Sequence, residues 1–282
     1  MKDVTFGQYY PTNSVIHRLD PRAKLIFALV YMITIFFVAS YCGYALVALF
    51  LVAVTLIAKV PLKTLLRSVK AILVIMIFTA IINIFFYRDG RVLVDWGVIQ
   101  ITLGGIDFAI KMALRISLLV MGTSLLSFTT TPVELTDALE SLLKPLSYIK
   151  VPVHDIALIM SIALRFIPGL MEETDKIMMA QKARGAEIDT GGLIKKVKAM
   201  LPVLIPLFVS AIRRADELAD ALDARCYNAT KHRTKMKLLK FTFKDAVAAF
   251  AVAAFVTLIL LDRYLLGGLD SYIVAFFGGL AA

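Results

Sequence analysis

Two short segments that echo one another carry the residues best suited to specific chemistry. Ala183-Arg184-Gly185 and Ala224-Arg225-Cys226 each place one arginine between small residues, and Asp175 and Asp216 precede these arginines at the same spacing. A guanidinium can make a planar, bidentate contact with a carboxylate. The two arginines therefore suit docking into two similar acidic pockets of a partner better than they suit chemistry on a small molecule.

A purely structural role for Arg184 and Arg225 is the alternative. Each triplet is predicted to end a long amphipathic helix, and a cation near the C-terminus of a helix offsets the helix dipole. The repeat and the adjacent alanines, which let another surface approach closely, favour an interaction role.

Motifs for other kinds of chemistry are missing from the sequence. No Gly-x-x-x-x-Gly-Lys-Ser/Thr phosphate loop occurs, and no serine stands in a nucleophile elbow. His17, His154 and His232 are isolated from other residues at metal-ligand spacing. The sequence therefore predicts a non-catalytic chain with no catalytic residue, no cofactor-binding residue and no metal ligand.

The composition predicts a multi-pass protein of the cell membrane. Hydrophobic residues make up 60% of the 282 positions, charged residues only 18%, and the net charge is +10. The basic residues flank apolar runs and form no single basic face. This distribution indicates contact with the lipid bilayer surface, and no nucleic acid partner is expected.

The predicted fold is an all-α membrane protein with about five transmembrane helices and long amphipathic cytoplasmic coupling helices. Residues 25–58 carry no charge and are long enough for two spans, with a break expected at residues 40–44; one long tilted helix is the alternative. Three further spans are predicted at residues 68–87, 106–128 and 245–261.

Three regions follow from these spans. Residues 1–128 form an N-terminal transmembrane region of about four spans, residues 129–243 a cytoplasmic or interfacial region of coupling helices, and residues 244–282 the last span with an outer segment. Most of the 31 lysines and arginines lie before the first span, after the second span, or in 129–243. Basic residues stay in the cytoplasm, so the N-terminus and the coupling helices are predicted to be cytoplasmic.

Two features are predicted near the outer surface. Apolar residues on both sides of Asp95-Trp96-Gly97 predict a small β-hairpin. Asp107, Lys111 and Arg115 recur every four residues and therefore share one helix face. They are interpreted as an acid–base stripe facing the bundle interior or snorkelling outward, with a substrate or ion path as the alternative.

The coupling region shows three amphipathic helices. Thr131-Pro132-Val133-Glu134 is a capping box that opens the first helix. The second runs from Pro152 to Gly185 with a kink at Pro168-Gly169, and the third begins within residues 201–206 and ends at Arg225.

With these residues in place, the chain resembles the transmembrane T component of energy-coupling factor (ECF) transporters, known as EcfT. The resemblance covers essentially the whole length. It rests on residues 7–24, which include Ser14-Val15-Ile16-His17-Arg18-Leu19-Asp20-Pro21, and on the two arginine triplets. The first triplet matches the family pattern fully. The second has Cys226 where the family usually carries glycine or serine.

The resemblance implies a division of labour. In that family the T component links two ABC-type ATPase subunits to a membrane-embedded, substrate-binding S component, for uptake of vitamins or other micronutrients. Ala183, Arg184 and Gly185 would bind one ATPase, and Ala224, Arg225 and Cys226 the other. ATP would be bound by these partner subunits.

Two other classes of protein remain as alternatives. A stand-alone secondary transporter would need inverted repeats and broken helices at the bilayer centre. An intramembrane enzyme would need polar residues that converge within the spans, where Asn83 and the Asp107 stripe are the only candidates.

Overall fold

The structure, a computed structural model, describes residues 9–87, 92–96, 99–186, 192–227 and 241–264. Its elements in chain order are α1 (Pro21–Phe37), α2 (Tyr41–Ala58), α3 (Leu62–Phe86), β1 (Val92–Trp96), β2 (Ile99–Thr102), α4 (Leu103–Thr129), α5 (Pro132–Leu143), a 3-10 helix (Lys144–Ile149), α6 (Val153–Ala183), α7 (Leu193–Ala224) and α8 (Phe243–Tyr264). The strands pair antiparallel, as the predicted hairpin requires.

The chain divides into two compact units. One comprises Met1–Pro145 and Lys240–Ala282, and the other comprises Leu146–Leu239. Helix α5, which lies within the predicted coupling region, packs against α1 and belongs to the first unit. Its capping box forms as predicted, with Thr131 and Glu134 each accepting from the other's backbone N–H.

Five described helices are long and apolar enough to cross a membrane, and the predicted all-α, multi-pass class is confirmed. They are α2, α3, α4, α6 and α8. Four of them correspond to predicted spans. The predicted first span is α1, which has only 17 residues. Helix α6, predicted to be amphipathic and interfacial, meets the same length and composition criteria as the other four.

Helices α1, α2, α4 and α8 form the core of the first unit. Helix α1 packs against α4 and α8, and α2 packs against the same two helices. Tyr31 of α1 lies directly on Gly122 of α4, and its hydroxyl donates to the Leu118 carbonyl over 2.8 Å. A glycine at this position lets two membrane helices approach closely.

The chain breaks between α1 and α2, so the single tilted helix is excluded. The break covers Val38 to Ser40, slightly before the predicted position, because the Ser40 hydroxyl accepts from the Gly43 N–H at 2.9 Å and caps α2. The freed carbonyls of Phe37 and Val38 accept from Arg263 at 3.1 Å and from Arg115 at 3.0 Å.

The polar stripe on α4 bonds within the bundle. Lys111 lies 2.9 Å from Asp107, and the Tyr41 hydroxyl donates to the same carboxylate. With Arg115 bound to the Val38 carbonyl, all three stripe residues have partners. These contacts favour the structural interpretation over a substrate path.

The N-terminal passage ties three helices of the first unit together. The Asp20 side chain caps α1 by accepting from Arg22 N–H, and the Asp20 N–H donates to Asp245 at the start of α8 over 2.8 Å. Lys24 donates to the carbonyls of His17 and Thr129, the last residue of α4. The residues that carry the family resemblance here thus hold the helix ends in place.

A pH dependence follows from His17, which lies before α1. Burial lowers its pKa from the usual 6.5. The hydrogen bond to the Tyr10 carbonyl raises the pKa, and the positive charge of nearby Lys24 lowers it further. Between the pKa of His17 in the folded state and its pKa of 6.5 in the unfolded state, the unfolded chain binds more protons than the folded one. The contribution of His17 to stability is therefore complete above pH 6.5 and is lost as the pH falls below it. We expect His17→Gln to flatten the change in thermal unfolding midpoint between about pH 7.5 and about pH 5.5. An identical pH dependence in both proteins would contradict this.

The predicted orientation can be tested by labelling. Asp89 and Thr190 lie outside the described residues, but the distribution of basic residues puts them on opposite sides of the membrane. Single cysteines at these two positions, in a background lacking Cys42 and Cys226, are expected to react with an impermeant reagent from opposite faces. Reaction of both from the same face would overturn the topology.

Candidate functional site

Helix α6 ends in a Schellman motif built on the first triplet. Arg184 is the C-cap residue, and Gly185 follows with φ of 86°. The N–H of Gly185 donates to the Lys182 carbonyl, and the N–H of Ala186 donates to the Gln181 carbonyl, both over 3.0 Å. This pair of bonds is the defining pattern of the motif.

Helix α7 ends in the same way on the second triplet. Arg225 has φ and ψ of −91° and 10°, against −86° and 7° for Arg184. Cys226 takes the place of the glycine, with φ of 50°. Its N–H donates to Asp223 over 2.9 Å, and that of Tyr227 donates to Leu222 over 3.0 Å. The sequence repeat is therefore a repeat of backbone geometry.

The triplets are presented to the outside. All six residues are exposed: Ala183, Arg184, Gly185, Ala224, Arg225 and Cys226. Neither guanidinium makes a hydrogen bond or ion pair with any residue that the structure describes. Each arginine can therefore offer all its donors to an acceptor on another molecule.

Helices α6 and α7 pack against each other in antiparallel fashion. Glu173 of α6 accepts from Ser210 and Arg214 of α7, each over 2.5 Å. Further along α6, Gln181 donates to the carbonyl of Pro202, which lies earlier in α7. The C-terminal part of α6 therefore lies beside the N-terminal part of α7.

This direction separates the two tips. From the Glu173–Ser210 contact, Arg184 lies toward one end of the helix pair and Arg225 toward the other. At about 1.5 Å per residue, the two arginines are up to about 40 Å apart along the helices. One small acidic pocket cannot bind both, so each tip needs its own binding surface.

Helix α7 begins earlier in the chain than predicted. The helix begins at Leu193, and Pro202 and Pro206 lie inside it. The helix was predicted to start near these prolines because a proline inside a helix lacks the backbone N–H donor and destabilises the helix. Pro168 lies inside α6 as predicted.

Glu173 and its partners on α7 were also missed. No sequence prediction involved Glu173, whereas the structure pairs it with Arg214, whose side chain is 40% exposed. The usable signal was Gly169, one turn before Glu173: a Cβ there would lie only 3.2 Å from the Arg214 guanidinium. A glycine beside a charged helix face indicates a close neighbour.

The third position of each triplet yields a stability prediction. A left-handed φ disfavours residues with a side chain, by roughly 1 kcal/mol or more, because the Cβ crowds the backbone. We therefore expect Cys226→Gly to raise the stability of the tip of α7 and Gly185→Ala to lower that of α6, each by about 1 kcal/mol. Hydrogen exchange of the last turn of each helix measures both effects. Changes of the same sign in the two variants would contradict the cap geometry.

Known proteins similar to this chain cover most of its length. The profile of the CbiQ family, described as cobalt transport protein, matches residues 12–236. A relative in Ruminiclostridium cellulolyticum is 50% identical over 94% of this chain and 98% of its own length. Relatives in Thermosediminibacter oceani and Clostridium kluyveri are 43% and 46% identical, over 94% and 93% of this chain and 100% and 98% of their own lengths. All three are named energy-coupling factor transporter transmembrane protein EcfT.

Proposed function

Because the chain belongs to the EcfT family of ECF transporter transmembrane proteins, we propose that it couples two ABC-type ATPase subunits to a substrate-binding S component. In this proposal it transmits the conformational change driven by ATP to the membrane, and the complex imports vitamins or other micronutrients. The chain itself binds no cofactor and catalyses no reaction, since ATP is bound by the partner subunits.

The observation that carries the proposal is the pair of matching helix tips. Arg184 and Arg225 have the same backbone conformation, both are exposed, and they lie at opposite ends of an antiparallel helix pair. Two similar ATPase subunits would require two similar recognition elements, separated far enough that each binds its own copy. An arginine flanked by small residues fits an acidic groove of limited width.

The apolar face of α7 supports the second half of the proposal. Exposed apolar side chains recur along it at helical spacing: Ile194, Val197, Leu201, Leu204, Phe208 and Ile212. A continuous apolar stripe of this kind is covered by lipid or by another membrane protein. Met179 of α6 and Met200 of α7 are also exposed. Because methionine side chains are flexible, they suit a surface that accepts more than one S component.

Copurification tests the proposal directly. The chain is coexpressed with its two candidate ATPases and an S component, and the complex is isolated through a tag on the chain in mild detergent. We expect both ATPases to be retained and ATP hydrolysis to require them, with none from the chain alone. Failure to retain any cassette ATPase, or hydrolysis by the isolated chain, would overturn the proposal.

A further inference from the structure

The first unit contains an open cavity of about 320 Å³ between α1, α2, α4 and α8. Its walls are almost entirely apolar and include Phe27, Val54, Leu125 and Ala251. A volume of this size is within the range of small-molecule binding sites. Because the cavity is open and its walls are apolar, an acyl chain of the surrounding lipid can enter it.

The two ends of the cavity differ in chemistry. One end carries Lys24 and Lys244, at the beginning of α1 and of α8. The other end is closed by the aromatic rings of Phe50 and Phe255, which stack with centroids 4.1 Å apart, and by Tyr31. The Tyr31 hydroxyl is already bonded to the Leu118 carbonyl. The cavity thus has two lysines at its rim and apolar side chains at its floor.

The length of the cavity matches one leaflet of a bilayer. Along α8 it extends from Lys244 to Phe255, which is about 16 Å at 1.5 Å per residue. Half of a hydrocarbon core of about 30 Å is about 15 Å. The rim therefore lies at the membrane surface when the floor lies near the midplane.

Both lysines retain the capacity to bind an anion. The Lys244 side chain is exposed and makes no hydrogen bond or ion pair with a described residue. Lys24 is only 6% exposed, and its ammonium donates to two carbonyls, which leaves one of its three N–H donors. Glu134, Asp245 and Asp20 interact electrostatically with Lys24, and the Asp245 carboxylate also accepts from the backbone N–H groups of Asp20 and Thr242.

We propose that this cavity binds one acyl chain of an anionic phospholipid, whose phosphate is held at the rim by Lys244 and Lys24. The apolar walls take the chain, and the two cations select a headgroup with net negative charge. Basic pockets between transmembrane helices at the cytoplasmic surface are suited to such headgroups. The distribution of basic residues places this rim at the cytoplasmic leaflet. The proposal does not depend on the ATPase-docking role of the arginine tips.

Native mass spectrometry of the purified full-length chain in detergent tests the site. The probes are phosphatidylglycerol and phosphatidylcholine with identical acyl chains, titrated separately. We expect one phosphatidylglycerol to be retained per chain in preference to phosphatidylcholine. Lys244→Gln is expected to weaken phosphatidylglycerol binding about fivefold, the effect of one lysine near an anionic surface. Lys63→Gln is the matched control, since Lys63 is also exposed but lies outside the cavity.

A second variant tests the apolar part of the site. Ala251→Phe places a large side chain in the cavity and is expected to remove retention of either lipid, while Lys244→Gln removes only the preference for phosphatidylglycerol. Equal binding of phosphatidylglycerol by Lys244→Gln and the wild type would overturn the proposal. So would an equal loss in Lys63→Gln, which would indicate general surface charge. Lipid binding that appears only after deletion of residues 1–8 would identify the chain's own N-terminus as the occupant and would also overturn it.

Discussion

Replacing both Arg184 and Arg225 with alanine is expected to abolish stable association with the ATPase subunits and, with it, transport. If each tip docks in an acidic groove shielded from water, loss of one guanidinium leaves a partner carboxylate unpaired. This loss is expected to cost roughly 2 to 5 kcal/mol of binding free energy. The tips lie at opposite ends of the α6–α7 pair, so each would bind its own surface in the proposed complex. Binding is therefore bivalent: each single variant should weaken assembly, and the double variant should nearly eliminate it.

Two comparisons separate this docking role from a structural one. Arg213→Ala is the matched control, because Arg213 is an exposed arginine of α7 away from the tip; it should assemble normally. Lysine at position 184 or 225 should rescue only in part, since it lacks the planar bidentate contact. A role limited to the helix dipole would cost about 1 kcal/mol or less and leave assembly intact.

The measurements are ATPase copurification and substrate uptake for the two single variants, the double variant and the control. Membrane insertion should be unchanged in all of them, because both side chains are exposed and make no hydrogen bond or ion pair with the described part of the chain. Wild-type assembly in the double variant would end the docking hypothesis.

Gly122→Ala is expected to destabilise the transmembrane bundle strongly. A Cβ at this position would lie 2.1 Å from Cε1 of Tyr31, and two further ring atoms would lie within 2.8 Å. The ring cannot move freely, because it is buried, its hydroxyl is bonded to Leu118, and it stacks on Phe255. Overpacking of this kind costs about 1 to 3 kcal/mol and sometimes more.

A double-mutant cycle assigns the clash to its partner. In a Tyr31→Leu background the ring is gone, so adding Gly122→Ala should cost much less than in the wild type. Gly192→Ala is the matched glycine control: within the described part of the chain nothing approaches the added Cβ within 4 Å, and the cost should stay below about 1 kcal/mol. Unfolding in mixed detergent micelles containing SDS is measured for the four proteins of the cycle and for the Gly192→Ala control. Additive effects at Gly122 and Tyr31 would contradict the contact.

Some features of this protein are encoded over a few neighbouring residues, and these could be predicted. The break before α2 follows from a capping serine, and the capping box at Thr131 follows from a four-residue motif. The apolar runs predict the multi-pass class, and the two arginine triplets stand out as a repeat. Each cap is encoded within about one helical turn, and each apolar run within the helix that it forms.

Other features required the tertiary structure. The sequence places one arginine at each helix tip, but only the contacts of Glu173 with Ser210 and Arg214 reveal that the helices run antiparallel and that the tips point to opposite ends. The fit of Tyr31 on Gly122 is likewise invisible in either helix alone. The apolar walls and two lysines of the cavity come from four helices. Periodicity and caps act locally, whereas direction, close approach and enclosed space depend on residues far apart in the chain.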